Sequence, residues 1–172
     1  LAELGIATFR YHFPYVEAGR RGPNHAPILV KTVRSAVAEA ASLEPDLPLL
    51  AGGKSMGGRM TSNAASKQPL PGVLGLAFFG FPLHAVGKDS DERGAHLADV
   101  GLPMLFLQGT RDRLARLDLL EPLLARVTPR PTLQVVESAD HGFHVTKKSG
   151  RPDDEVLDEM CSRFSEWLSA LT

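Results

Sequence analysis

Hydrophobic positions along the chain switch repeatedly between short apolar stretches and a spacing near 3.6. Residues 6–13 alternate and are rich in β-formers, which predicts a strand. Residues 15–27 carry Gly19, Gly22, Pro23 and Pro27 and read as a loop. Val30, Val33, Val37 and Ala41 then recur at helical spacing, predicting a helix over residues 28–43 that Pro45 and Pro48 end. Residues 47–51 read as a short buried strand. Residues 56–67, rich in Ala and Ser, read as a helix packed close to a sheet. The alternation continues with a near-continuous apolar run at 73–79, as in a strand buried on both faces. An irregular excursion over 81–100 follows, with a short helix expected near 95–99. Further buried strands are predicted at 104–107 and 133–136. Between them, leucine spacing predicts a helix over 114–127 that Pro122 starts, kinks or splits. The last helix is predicted over 153–171, with Val156, Leu157, Met160, Cys161, Phe164, Leu168 and Leu171 on one stripe. Its acidic first turn, Asp153, Asp154 and Glu155, suits the positive end of the helix dipole.

Strands alternating with helices predict an α/β fold: a three-layer α/β/α sandwich around a mostly parallel sheet. In such sheets chemistry collects at the carboxyl ends of the strands. The length, 172 residues, suits a single domain over 1–172, and no internal repeat or long linker divides it.

Composition narrows the class. Net charge is −1, which argues against a general nucleic-acid binder. Cys161 is the only cysteine, so no intrachain disulfide can form. The longest strongly apolar stretch, 73–83, is too short to span a bilayer and contains Gly and Pro. With no signal-peptide pattern, the expectation is a cytoplasmic protein without a membrane partner. The chain starts at Leu1, and residues 1–5 read as the last turn of a helix that Gly5 ends as a C-cap.

Three post-strand positions carry chemistry. Gly53, Ser55 and Gly57 make G-x-S-x-G between the strand at 47–51 and the helix at 56–67. A nucleophile elbow has this arrangement: a serine on a strained turn, with small neighbours that let the backbone fold tightly. The helix points its positive end at Ser55, and the Met56 amide is placed to meet a developing oxyanion. A phosphate loop is the competing reading of Gly53-Lys54-Ser55, but its required first glycine is Pro48. Asp112 follows the strand at 104–107 and can orient a histidine; an Asx turn or helix cap is its plainer role. His141 follows the strand at 133–136, where a general base belongs. The order Ser55, Asp112, His141 is the Ser…Asp…His order of α/β-hydrolases.

The residues therefore resemble an α/β-hydrolase of the dienelactone-hydrolase-like kind. More narrowly, they resemble small hydrolases that carry R-x-x-F-P-Y, G-G-K-S-M-G-G-R, P-L-H, Q-G-T-R-D and D-H-G-F. Here these motifs run over 10–15, 52–59, 82–84, 108–112 and 140–143. The resemblance covers nearly the whole chain. It implies a serine hydrolase with no metal or organic cofactor and names no substrate. One departure stands out. An H-G-x-G-like loop normally supplies a second oxyanion amide, following a strand that lies between those holding Phe9 and Ala51; neither is found. The expectation is an α/β-hydrolase fold truncated at its N-terminus, a fragment; otherwise the strand at 6–13 shifts to pair with that at 47–51.

Other residues have two readings each. Lys54, Arg59, Arg111, Arg20 and Arg21 either surround a pocket mouth and favour an anionic substrate, or are solvated and paired with Glu17 and Asp112. His84, Phe81 and Phe143 are substrate-pocket candidates, with His12 placed similarly to His84; structural packing is the plainer reading of the two histidines and an equal alternative for the two phenylalanines. Asp140 is a rival acid, although a neighbour of His141 reaches that ring's far nitrogen poorly. His141 and His144 lack a clear third ligand, so no metal is expected.

Two functions follow. The first is a hydrolase of small-molecule carboxylic esters or thioesters, with Ser55, His141 and Asp112 as the triad and Met56 at the oxyanion. The second is an interaction module that keeps the scaffold without the chemistry. A homodimer is left open by either.

Overall fold

The computed structural model describes residues 1–171; Thr172, the last residue of the expected domain, lies outside the described residues. Five α-helices and four strands alternate along it: α1 (Pro14–Glu17), α2 (Ala26–Leu43), β1 (Leu49–Lys54), α3 (Met56–Lys67), β2 (Val73–Phe79), β3 (Met104–Gly109), α4 (Leu117–Leu124), β4 (Thr132–Val136) and α5 (Asp153–Ser169). The strands form one parallel sheet in the order β1-β2-β3-β4.

Period-two alternation on the central strands divides the core into two layers. Leu76, Phe78, Met104 and Phe106 face a cluster built with Val30, Val33, Val37, Met60 and Leu120 of α2, α3 and α4. Ala77, Leu105 and Leu107 face the other way, against Val156, Met160 and Phe164 of α5. Every residue of β3 and most residues of β2 are buried, which is why both read as largely apolar runs, although Leu74 of β2 is exposed. The expected helical stripe on α5 holds at Val156, Met160 and Phe164; Leu157 points outward, 57% exposed.

Element bounds mostly follow the sequence pattern. Those of α3 and β2 coincide with the expectation. Helix α4 is shorter, and beyond its Pro122 the chain tightens into turns from Arg126 N–H to the Leu123 carbonyl and from Val127 N–H to the Leu124 carbonyl. The excursion after β2 contains a 3₁₀ segment, Glu92–Asp99, longer than the short helix expected there. Residues 2–4 form one 3₁₀ turn that Gly5 closes in the left-handed conformation (φ 71°), in keeping with the C-cap reading.

The strand expected at 6–13 does not form. Most of this segment is exposed, with Phe9 at 46%, and only Phe13 is buried. Alternating side chains suit a strand, but a strand is stable only when its backbone groups find a ladder partner. Nor does the segment shift onto β1, which pairs with β2 alone among the described residues. Aromatic contacts anchor it instead, with Phe13 between Tyr11 and Tyr15. No helix among the described residues is long and apolar enough to cross a membrane.

Candidate active site

Ser55 occupies the junction between β1 and α3. Its backbone sits at φ 53° and ψ −124°, a conformation that side-chain-bearing residues rarely adopt. As N-cap of α3 its hydroxyl would ordinarily bond an amide of the first turn, but it makes no such bond. The Ser55 N–H donates to the Phe79 carbonyl at 3.2 Å, tying the turn to β2. Tightness here depends on Gly52, Gly53 and Gly58. A Cβ on Gly52 would meet the Ala77 carbonyl oxygen at 2.0 Å, and one on Gly58 the Gly53 oxygen at 2.6 Å; Gly53 itself sits at φ 148°. Gly57, the last glycine of G-x-S-x-G, has open space around its Cβ position. The steric demand expected at Gly57 therefore falls on Gly58.

His141 stands on the loop after β4. Its Nε2 lies 2.8 Å from Ser55 Oγ, and its Nδ1 lies 2.7 Å from Asp112 Oδ2. The Asp112 side chain is fully buried, whereas that of His141 is 24% exposed. Burial of a carboxylate is costly unless hydrogen bonds replace its water. Here the Leu114 N–H donates to Oδ1 at 2.8 Å, and Gln108 Nε2 donates to Oδ2 alongside His141. Gln108 is itself fully buried, and its Oε1 accepts the Phe81 N–H at 2.9 Å. Sequence reasoning quoted Gln108 within Q-G-T-R-D without a role for it. The available signal was its four-residue spacing from Asp112 on a strand buried on both faces.

Asp140 has a different task from that of a rival acid. Its Oδ1 accepts the N–H groups of Gly142 (2.8 Å) and His144 (3.1 Å), which shapes the loop that presents His141. His144 pairs with Asp153 at 2.7 Å, tying this loop to the start of α5. The Asp153 hydrogen bond raises the His144 pKa above the ordinary imidazole value, and the same bond lowers that of Asp153.

The pocket candidates separate. Phe81 is fully buried against Phe78 and Phe106, so it offers no surface to a ligand. His84 is 3% exposed; its Nδ1 donates to the Ala85 carbonyl, and its Nε2 accepts the Arg116 N–H at 3.0 Å. Both nitrogens are used, and the ring ties two loops together. These two residues are thus corrected from pocket lining to structural packing. Phe143 lies two residues beyond His141 with φ 67°, and Lys54 Nζ sits 5.9 Å above its ring and 3.4 Å from the Gly142 carbonyl. Lys54 and Phe143 therefore stay beside Ser55 and His141. Met56 begins α3, so its N–H belongs to the first turn, which has no intrahelical acceptor. Arg20, Arg21 and His12 are exposed on the segment before α2, and Arg111 Nη1 donates to the Ser138 carbonyl at 3.3 Å.

A parallel sheet that carries serine, acid and histidine after β1, β3 and β4 defines the class. The alpha/beta hydrolase domain family model matches residues 1–169, and the chain belongs to that family. Its fold is shared with dienelactone hydrolase from Anabaena variabilis (TM-score 0.66, 21% identity, 86% of this chain and 61% of that one). It is also similar to an alpha-beta serine hydrolase homologue from Coxiella burnetii (TM-score 0.57, 14% identity, 71% of this chain and 54% of that one). A third similar structure is the monoacylglycerol lipase of Paleococcus ferrophilus (TM-score 0.66, 14% identity, 88% of this chain and 78% of that one). The chain thus spans little more than half the length of the first two.

Proposed function

We propose that this chain is the catalytic unit of a serine hydrolase acting on small-molecule carboxylic esters or thioesters. The observation that carries the reading is the hydrogen-bonded row Ser55 Oγ, His141 Nε2, His141 Nδ1, Asp112 Oδ2. Ser55 attacks the acyl carbonyl while His141 takes its proton. Asp112 holds the ring with Nδ1 protonated and stabilises the imidazolium that forms. The Met56 amide donates to the oxyanion of the tetrahedral intermediate, aided by the positive end of α3. His141 then protonates the leaving alkoxide or thiolate. Water, deprotonated by the same ring, releases the acyl group from Ser55. An interaction module without chemistry would have no need of a strained serine held within reach of a buried, fully bonded acid–histidine pair.

The test is labelling with a fluorophosphonate, which reacts with an activated serine. Wild type is expected to label and Ser55→Ala to stay unlabelled. Equal labelling of the two proteins removes Ser55 from the role.

A further inference from the structure

The reactive serine has an arginine one helical turn beyond it whose guanidinium Nε has no partner among the described residues. Arg59 stands on the first turn of α3, where its N–H donates to the Ser55 carbonyl at 3.1 Å, and it shares a helix face with Ser62 and Asn63. Its Nε is buried from solvent and has no hydrogen-bond partner, and no carboxylate among the described residues pairs with its guanidinium. A buried orphan donor on a charged group is expensive unless a ligand meets it.

The packed neighbour of this face is the 3₁₀ segment Glu92–Asp99. His96 from that segment meets α3 through Nε2, 2.8 Å from Ser62 Oγ and 3.1 Å from Asn63 Nδ2. Residues three apart eclipse on a 3₁₀ helix, so Arg93 stands on the same side as His96. Arg93 is exposed and likewise has no ion pair among the described residues. Burial first, and then the Arg93 charge, lower the Arg59 pKa below its ordinary value. Burial, reinforced by Arg59, also depresses the His96 pKa to about 4, so His96 stays neutral and acts as an acceptor. Asp99 is the acid that faces His96, and it pairs with neither arginine. Two like charges brought together beside a neutral ring are stabilised by an anion between them.

We infer that Arg59 and Arg93 bind a carboxylate at the end of the substrate remote from its scissile bond, so the preferred substrates are monoesters or monothioesters of short dicarboxylic acids. The inference rests on Ser55 being the nucleophile, because the distance from Ser55 to Arg59 sets the spacing between carbonyl and carboxylate.

Two 4-nitrophenyl esters of matched length test it: the monoester of glutaric acid and the ester of valeric acid. Wild type is expected to favour the glutarate ester about tenfold in kcat/KM, and Arg59→Gln or Arg93→Gln to cut that preference about fivefold or more. Lys148→Gln removes an exposed cation elsewhere and is expected to leave the preference intact. A preference near one in wild type, or one that neither arginine variant changes, overturns the site. Fluorophosphonate labelling of the same samples separates the two failures. Labelling with no preference sinks the anion site and leaves the hydrolase standing. If wild type neither labels nor cleaves either ester, the hydrolase reading fails, and calorimetric titration with glutarate decides the rest. Binding that weakens about fivefold or more in Arg59→Gln upholds an anion site; no binding, or binding that the substitution does not weaken, overturns it.

Discussion

Two serine–imidazole pairs lie along α3, seven residues and about two helical turns apart. Ser55 Oγ lies 2.8 Å from His141 Nε2, and Ser62 Oγ lies 2.8 Å from His96 Nε2. The contact distance is the same, but the surroundings differ. Ser55 stands on a strained turn with its hydroxyl uncommitted to helix capping. Ser62 lies inside the helix, fully buried, and its hydroxyl also contacts the Arg59 carbonyl at 2.9 Å. Behind His141 stands a buried carboxylate; behind His96 stands the Arg93 carbonyl, with an arginine charge beside it. Burial and the Arg59 charge penalise an imidazolium at the second ring, whereas a carboxylate hydrogen-bonds to the first. What separates a candidate general base from a structural histidine is therefore the group behind the ring.

The largest effect expected from this contrast is on turnover. Ser55→Ala should lower kcat by about 10⁴–10⁶ and abolish fluorophosphonate labelling. Ser62→Ala should keep the label, and loss of labelling there would erase the distinction between the pairs. Asp112→Asn attacks the group behind the ring. It should lower kcat by about 10⁴ while leaving the fold intact, because the amide favours the wrong imidazole tautomer. Steady-state kinetics beside a circular-dichroism melt checks both halves of that statement.

Gln108→Leu is a milder probe. It strips one donor from Asp112 and the acceptor from the Phe81 N–H, both buried. Stability should fall by about 1–3 kcal/mol in urea unfolding, with a further loss in kcat as Asp112 loosens. A variant as stable and active as wild type would show that Asp112 needs only His141 and the Leu114 amide.

The smallest effect concerns His96. Its folded pKa, about 4, lies below the ordinary 6.5, so the unfolded chain binds a proton first as pH falls. The stability associated with the neutral ring is complete above about pH 6.5 and is lost progressively toward pH 4. Because the ring is partly exposed, screening reduces the loss to about 1–2 kcal/mol. Urea midpoints measured across this range should show the slope in wild type and a shallower one in His96→Gln. Parallel slopes would place the acid sensitivity elsewhere.

How much was legible in the sequence varied with how local each cause was. Helical spacing located α2 and α5, an Ala- and Ser-rich stretch α3, and short apolar runs the buried strands, because burial is written directly into residue order. Ser55, Asp112 and His141 were legible because each follows a strand, and a parallel sheet delivers successive strand ends to one edge. Residues 6–13 misled because alternation describes side chains, whereas a strand also needs a neighbour for its backbone. Phe81 and His84 stayed open between pocket and packing because position after a strand does not say whether the chain then turns into the core or over the cleft. Gln108 was visible in a motif but silent in role, since its task depends on a carboxylate folded back against it.

The sequence by itself determined the layered α/β architecture, the strand-end order of serine, acid and histidine, and the near-neutral charge. These follow from local periodicity and from turn chemistry within a few residues. Tertiary structure alone decided which glycines bear the elbow's close contacts, which of two histidines is backed by a carboxylate, and that Arg59 and Arg93 come together without an ion-pair partner among the described residues. Each depends on groups far apart in the chain that meet only when the helices pack on the sheet. Burial and charge then give the same residue types opposite roles.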